Sequence, residues 1–350
     1  MIRIATVVGA RPQFIKAGPV SRAFRDAGID EVLIHTGQHF DDGMSDVFFR
    51  ELGLAAPDHN LGISGGGHGD MTGRMLIALE PVLLQDRPDG LLIYGDTNST
   101  LAAALVAAKL DIPVFHVEAG LRSFRRAQPE EINRRVADHL SALLFCPTPQ
   151  AVSHLAREGV TRGVMLVGDV MFDAALAAAA RAEGSDVVSR LGLTPGSYEV
   201  ATVHRAENTD DDGALAKVVD FLKARPGTVV LSLHPRTKAA LARAGLTLDG
   251  ITVTDPLGYL EMTHLVKASA GVLTDSGGLQ KEAYFHRVPC ITLRDETEWT
   301  ETVEAGWNRL WRSPETAAPR RDIDAYGDGN AAGRIAQAIA AYLTQDGGGA

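Results

Sequence analysis

The sequence predicts an α/β protein made of two doubly wound domains, each a parallel sheet with helices on both faces. Three observations lead there. Short β-branched runs alternate with helix-length amphipathic segments, the strand runs are almost continuously apolar, and the alternation restarts half-way along the chain. A length of 350 residues suits one large or two medium domains.

"IRIATVV" reads as the first strand. It is too brief for a signal-peptide core, and Gly9-Ala10-Arg11-Pro12 follows at once. A helix is expected from about Gln13, then a strand in "EVLIHTG". "MTGRMLIALEPVLLQD" has helical spacing, "GLLIYGD" reads as strand, "TNSTLAAALVAAKL" as helix and "PVFHVEAG" as strand. "PEEINRRVADHLSALL" is a predicted helix and "LFCPT" a short strand. After "VMLVGDVMFDAALAAAARA" and a polar connector the pattern begins again. "YEVATVHRAEN" precedes a helix over Gly213 to Lys223, and "TVVLSLHP", "ITVTDP", "AGVLTDSGG" and "PCITLRD" are further strands. The domain boundary is placed at Gly168, giving domains of 1–168 and 169–329. The last helix, 330–345, is expected to cross back to the first domain, and 346–350 to be disordered.

Apolar residues make up 45% of the chain and charged residues 22%, ordinary for a globular protein with real cores. The formal charge of −10 argues against a nucleic-acid or anionic-membrane surface, and no apolar run is long enough to span a bilayer. Cys146 and Cys290 sit in apolar contexts as expected buried thiols, which fits a reducing cytoplasm. No G-x-G-x-x-G follows the first strand and no P-loop is present, so no dinucleotide or other cofactor is expected. His116, His204 and His234 lack ligand spacing, so no metal site is expected.

Ligands of open α/β sheets sit beyond the carboxyl ends of the strands. Polar residues collect at five such ends: Gly9-Ala10-Arg11, Gly95-Asp96-Thr97, His116-Val117-Glu118, His204-Arg205 and Ser276-Gly277-Gly278. In "LTDSGGLQKEA" the glycines let a phosphate approach a helix N-terminus, and Ser276 adds a hydroxyl. Glu282 follows four residues after Gly278 on the same helical face, placed to accept both hydroxyls of a ribose. The stretch fits a nucleoside diphosphate; the plainer alternative is an N-capping Ser and an exposed Glu. "GARPQFIK" supplies Arg11 and Lys16, either for that diphosphate across a cleft or for a surface ion pair. "PEEINRR" places Glu130 four residues before Arg134 and Glu131 four before Arg135, a spacing that also merely supports solvated helices. Asp96, Glu118 and Glu130 together would give one cleft both an acid and a base.

"GARPQFIKAGPV", "TGQHFDD", "YGDTNSTLAAALVAAKLDIPVFHVEAGLRS", "PEEINRRVADHLSALLFCPT", "VHRAEN" and "LTDSGGLQKEA" together resemble the non-hydrolysing UDP-N-acetylglucosamine 2-epimerases, in order over most of residues 1–310. The resemblance implies a GT-B-type fold, two Rossmann-like domains closing on a UDP-sugar, and a homodimer. It implies catalytic roles for Asp96, Glu118, Glu130, Arg134 and His204, and UDP binding by Arg11, Lys16, Ser276, Gly277, Gly278 and Glu282. It also implies elimination of UDP to a 2-acetamidoglucal and its re-addition. The sequence departs from the common pattern at "RDETEWTE", where Trp299 replaces an arginine. This looks like the branch acting on diacetamido uronic acid UDP-sugars. The stretch "GISGGGHGDMTGR" lacks the glutamine with which many bacterial members bind an activating UDP-GlcNAc, so such activation is expected to be weak or absent. A GT-B glycosyltransferase, a hydrolysing epimerase and a non-catalytic UDP-sugar sensor are the competing readings.

Overall fold

The computed structural model describes residues 1–38, 51–313 and 319–346. His39 to Asp42 of "TGQHFDD" and the tail after Asp346 fall outside the described residues. The chain divides into two compact units, Met1–Ala174 with Asp324–Ala350, and Ala175–Ile323.

The first segment runs β1 (Arg3–Val8), α1 (Arg11–Asp26), β2 (Asp30–His35), β3 (His59–Asn60), α2 (His68–Asp86), β4 (Gly90–Tyr94), α3 (Asn98–Lys109), β5 (Val114–Val117), α4 (Pro129–Leu140), β6 (Leu143–Cys146), α5 (Pro149–Arg157), β7 (Val164–Leu166) and α6 (Val170–Arg181). The second continues with α7 (Val187–Arg190), β8 (Tyr198–Thr202), α8 (Ala206–Thr209), α9 (Asp212–Lys223), β9 (Thr228–Ser232), α10 (Pro235–Ala244), β10 (Thr252–Thr254), α11 (Tyr259–Lys267), β11 (Gly271–Thr274), α12 (Gly277–Phe285), β12 (Cys290–Thr292), α13 (Thr300–Glu304) and β13 (Asn308–Leu310). The chain then returns to the first unit as α14 (Ala331–Asp346), which packs against α1.

Both sheets are entirely parallel, in the orders β3-β2-β1-β4-β5-β6-β7 and β10-β9-β8-β11-β12-β13. Strand order therefore reverses between β1 and β4 in one unit and between β8 and β11 in the other. Loops diverge at such a point and leave a ligand crevice. The apolar strands follow from burial on both faces. Val200 and Val272 join one core of the second unit, while their neighbours Ala201 and Leu273 join the core on the opposite face.

Local signals set the helix starts. Pro12 and Pro129 lie in first turns, where no backbone N–H is missed. Thr97, Thr148 and Asp211 cap α3, α5 and α9 by accepting main-chain N–H bonds. The N-terminus of α14 is capped at long range: the Asp173 carboxylate accepts from Ala331 N at 3.2 Å and Ala332 N at 2.9 Å. No described helix is long and apolar enough to cross a membrane.

Candidate active site and UDP-binding turn

In the first unit the ends of β1 and β4 are stapled by Gln13. Its Oε1 accepts from Gly9 N at 2.8 Å and Ala10 N at 3.1 Å, and its Nε2 donates to Tyr94 O at 2.8 Å. Sequence reasoning passed over Gln13. The available signal was a lone amide in the apolar stretch that follows a strand end. Arg11 opens α1 on the exposed side, and Lys16, one turn on, is buried.

Lys16 Nζ forms an ion pair with the Glu118 carboxylate, and both side chains are about nine-tenths buried. Glu118 has a left-handed backbone, φ +69°, a conformation that costs a non-glycine residue of order 1–3 kcal/mol and concentrates at functional sites. Gly95 faces this pair from the end of β4. A Cβ there would lie 3.4 Å from Glu118 Oε2 and 3.6 Å from Lys16 Nζ.

Asp96 is held by Arg134, whose Nε and Nη2 donate to its Oδ2 at 2.9 and 2.6 Å. Asn133 Nδ2 donates to the Asp96 carbonyl at 2.9 Å. The two carboxylates of "PEE" separate sharply. Glu130 is exposed in the first turn of α4, whereas Glu131 is 1% exposed. Glu131 accepts from Ser123 N at 2.8 Å, Arg134 Nη1 at 3.1 Å and Arg135 Nε at 3.3 Å. Arg134 therefore bridges Asp96 and Glu131, and Glu131 is a residue of the site that the sequence reading left outside it. Burial opposes ionisation of Glu131, but the hydrogen bonds from Ser123, Arg135 and Arg134 outweigh it and hold the carboxyl below its usual range.

Below these groups runs a buried polar chain. His116 Nε2 lies 2.8 Å from the Gly95 carbonyl and its Nδ1 lies 2.8 Å from Asp138 Oδ1. Asp138 also accepts from Gly120 N and pairs with Arg122, which reaches Glu158 in turn. Burial would raise the Asp138 pKa, yet His116 and Arg122 hold it below the usual value. The chain fixes the turns that carry Gly95, Asp96 and Glu118.

In the second unit the β8 and β11 ends are joined through Asp275, which is fully buried. It accepts from His204 N at 3.1 and 3.0 Å, Arg205 N at 2.9 Å and Asn208 Nδ2 at 3.0 Å. Ser276 caps α12, its Oγ accepting from Leu279 N at 3.5 Å. As at any helix N-terminus, the first-turn N–H groups of Gly277 and Gly278 have no intrahelical acceptor. Glu282 lies on α12 one turn further on and is part-buried.

The segment after β12 closes on this turn. Arg294 Nη1 donates to Glu298 Oε2 at 2.9 Å, and Arg205 Nη2 lies 3.8 Å from Glu298 Oε1. A Cβ on Gly277 would fall 2.6 Å from Glu298 Oε1 and 3.3 Å from the Trp299 indole nitrogen, so a side chain there would push the Glu298 carboxylate aside. Lys281 Nζ lies over the Trp299 ring at 4.0 Å. Trp299 thus lies against the predicted phosphate turn. Gln280 anchors the segment from below, accepting from Thr297 Oγ1 at 2.6 Å and Asn308 Nδ2 at 3.2 Å.

A profile of the UDP-N-acetylglucosamine 2-epimerase family matches residues 22–340. The chain belongs to that family. It is 48% identical to the UDP-2,3-diacetamido-2,3-dideoxy-D-glucuronate 2-epimerase of Pseudomonas aeruginosa, across 97% of this chain and 99% of that protein. Among solved structures it is similar to the Methanocaldococcus jannaschii UDP-GlcNAc 2-epimerase in complex with UDP-GlcNAc and UDP. That match has a TM-score of 0.86, 40% identity, and covers 97% of this chain and 100% of the other. The Neisseria meningitidis UDP-GlcNAc 2-epimerase bound to UDP-GlcNAc matches with a TM-score of 0.84 and 27% identity, covering 97% of this chain and 100% of the other. The fold is the α/β, GT-B-type fold of these epimerases.

Proposed function

We propose that the protein inverts carbon 2 of a UDP-linked 2-acetamido sugar, and that the sugar is the 2,3-diacetamido-2,3-dideoxyglucuronate. The isomerase class follows from the family, and the whole-length match to the Pseudomonas enzyme supports the substrate. The observation that carries the chemistry is the acid set of the first unit, in which two carboxylates are paired with cations: Asp96 with Arg134, which also holds Glu131, and Glu118 with Lys16. Carbon 2 is not beside a carbonyl, so simple deprotonation is too costly. In the proposed route a carboxylate takes the carbon-2 proton, the bond from carbon 1 to oxygen breaks, and UDP departs with the electron pair, leaving a 2-acetamidoglucal. A second acid then delivers a proton to the opposite face as UDP adds back. Two of Asp96, Glu118 and Glu130 serve as base and acid. Arg11, His204, Ser276 and the amides of Gly277 and Gly278 take the diphosphate charge, and Glu282 takes the ribose.

The same reading makes the enzyme a cytoplasmic homodimer supplying sugars for polysaccharide synthesis. Its support is the family resemblance, two buried free thiols and the exposed apolar residues Ile77 and Leu84 on α2.

The test is incubation with each UDP-sugar in D2O, followed by NMR. Deuterium at carbon 2 of an intact UDP-sugar, faster for the diacetamido uronate than for UDP-GlcNAc, is expected. Free sugar, no exchange, or dependence on an acceptor would each overturn the reading.

A further inference from the structure

Glu118 keeps its left-handed backbone, φ +69°, at the carboxyl end of β5. A Cβ disfavours that conformation, so the surroundings must impose it. Asp138, on α4 and without exposed surface, reaches the turn on both sides of Glu118. Its Oδ1 lies 2.8 Å from Nδ1 of His116, two residues before, and its Oδ2 accepts from Gly120 N, two residues after, at 3.2 Å. Between them the main chain is pinned from β6, where Phe145 O accepts from both Glu118 N and Ala119 N at 3.1 Å. Gly120 is itself left-handed, φ +78°, and a Cβ there would fall 2.5 Å from the Ala151 carbonyl oxygen. A single carboxylate thus spans the turn that carries Glu118.

We propose that Asp138 is a positioning residue for the epimerisation, imposing the left-handed turn that aims Glu118 at Lys16. A rival reading makes Asp138 only a counter-ion for Arg122, whose Nη1 lies 2.7 Å from its Oδ2. Glu158 already meets that guanidinium with two hydrogen bonds, from Nε at 2.9 Å and from Nη2 at 2.7 Å. Without Asp138 the arginine keeps a charge partner, whereas the Gly120 amide loses its acceptor. The place of Asp138 on α4 gives a second reason. Arg134, one turn earlier on that helix, holds Asp96. Glu131, seven residues before Asp138 and on the same face, holds Ser123 N at 2.8 Å. One helix thereby sets the side chain of one acid and the backbone of another, so the two keep a fixed separation. The inference rests on the proposed reading in which Glu118 gives or takes a proton at carbon 2.

Two measurements test it, and the first needs no activity. At position 118 glycine takes the left-handed backbone freely and alanine does not. The folding equilibrium constant of Glu118→Gly relative to Glu118→Ala therefore reads the imposed conformation, since both variants lose the pair with Lys16. In urea unfolding that ratio should shrink by roughly 5- to 30-fold when Asp138→Ala is added, the size of one left-handed residue. An unchanged ratio would show that the turn holds without Asp138. With Asp138 intact, an alanine variant as stable as the glycine one would overturn the proposal, even where Asp138→Ala does not fold. The second measurement is kinetic. Asp138→Ala should lower kcat by roughly 10²-fold with little change in KM, the scale of one acid–base contribution. Added to Glu118→Gln, it should cost the residual rate almost nothing more. An equal loss in both backgrounds would show a merely structural role. Absence of carbon-2 exchange in the wild type would instead sink the assigned reaction, and the folding comparison would still stand.

Discussion

Arg134 donates two hydrogen bonds to a single oxygen of Asp96, at 2.9 and 2.6 Å, and a third to Glu131 at 3.1 Å. One guanidinium fixes two carboxylates contributed by different turns. A lysine offers a point charge rather than a fork, so Arg134→Lys is not conservative here. We expect kcat to fall by about 10²-fold in Arg134→Lys, with KM changed far less, measured by initial rates on the UDP-sugar. Near wild-type turnover would remove Arg134 from the chemistry.

Gly95 is constrained by its backbone, φ +60°, and by the Lys16–Glu118 pair that it faces. Alanine fits in contact with the pair but must adopt a left-handed conformation. Gly95→Ala should cost about 1–2 kcal/mol in denaturant unfolding. Turnover should fall no further than that loss of folded protein accounts for, because the added Cβ meets Glu118 only in ordinary contact, 3.4 Å from its Oε2.

Burial, with help from Lys267, pushes the His286 imidazole down to about 4. The folded form therefore stays neutral while the unfolded chain takes up a proton near pH 6.5. The stability that His286 contributes is complete above pH 6.5 and is lost as pH falls towards 4, at most about 3 kcal/mol. In urea unfolding at pH 7 and pH 4.5, His286→Gln should lose less stability between the two than wild type. Parallel losses would contradict the burial argument.

Glu298 brings a carboxylate oxygen against Gly277, where the first-turn amides of α12 would receive a diphosphate. Its charge already occupies Arg205 and Arg294, and on the proposed reading it would oppose a diphosphate at the helix terminus. Glu298→Gln should tighten UDP binding by roughly 2- to 5-fold in calorimetry, the size of one helix-terminal charge. Weaker binding would mean that Glu298 holds the loop rather than opposing the ligand.

The strands were legible because burial on both faces writes them as apolar runs. β3 and β13 were not, since His59–Asn60 and Asn308–Leu310 are two and three residues long and carry no such run. Arg11, Glu118, His204 and Ser276 stood out because doubly wound sheets gather ligand residues beyond strand ends. The supporting residues were hidden by distance along the chain. Asp275 binds a backbone amide 71 residues away, and Arg122 pairs with a glutamate 36 residues away. Adjacent Glu130 and Glu131 are chemically identical in sequence. Only the packing of Ser123 and Arg134 around the second one separates them.

The return of α14 to the first unit sets an order of events during synthesis. Until residues 331–346 leave the ribosome, α1 lacks its covering helix and the Asp173 carboxylate has no amides to cap. The second unit, Ala175–Ile323, is a single uninterrupted stretch and is complete earlier. The half that is translated first is therefore the half that finishes last, and a nascent chain halted before α14 would hold a complete second unit while the first still lacks the cover of α1.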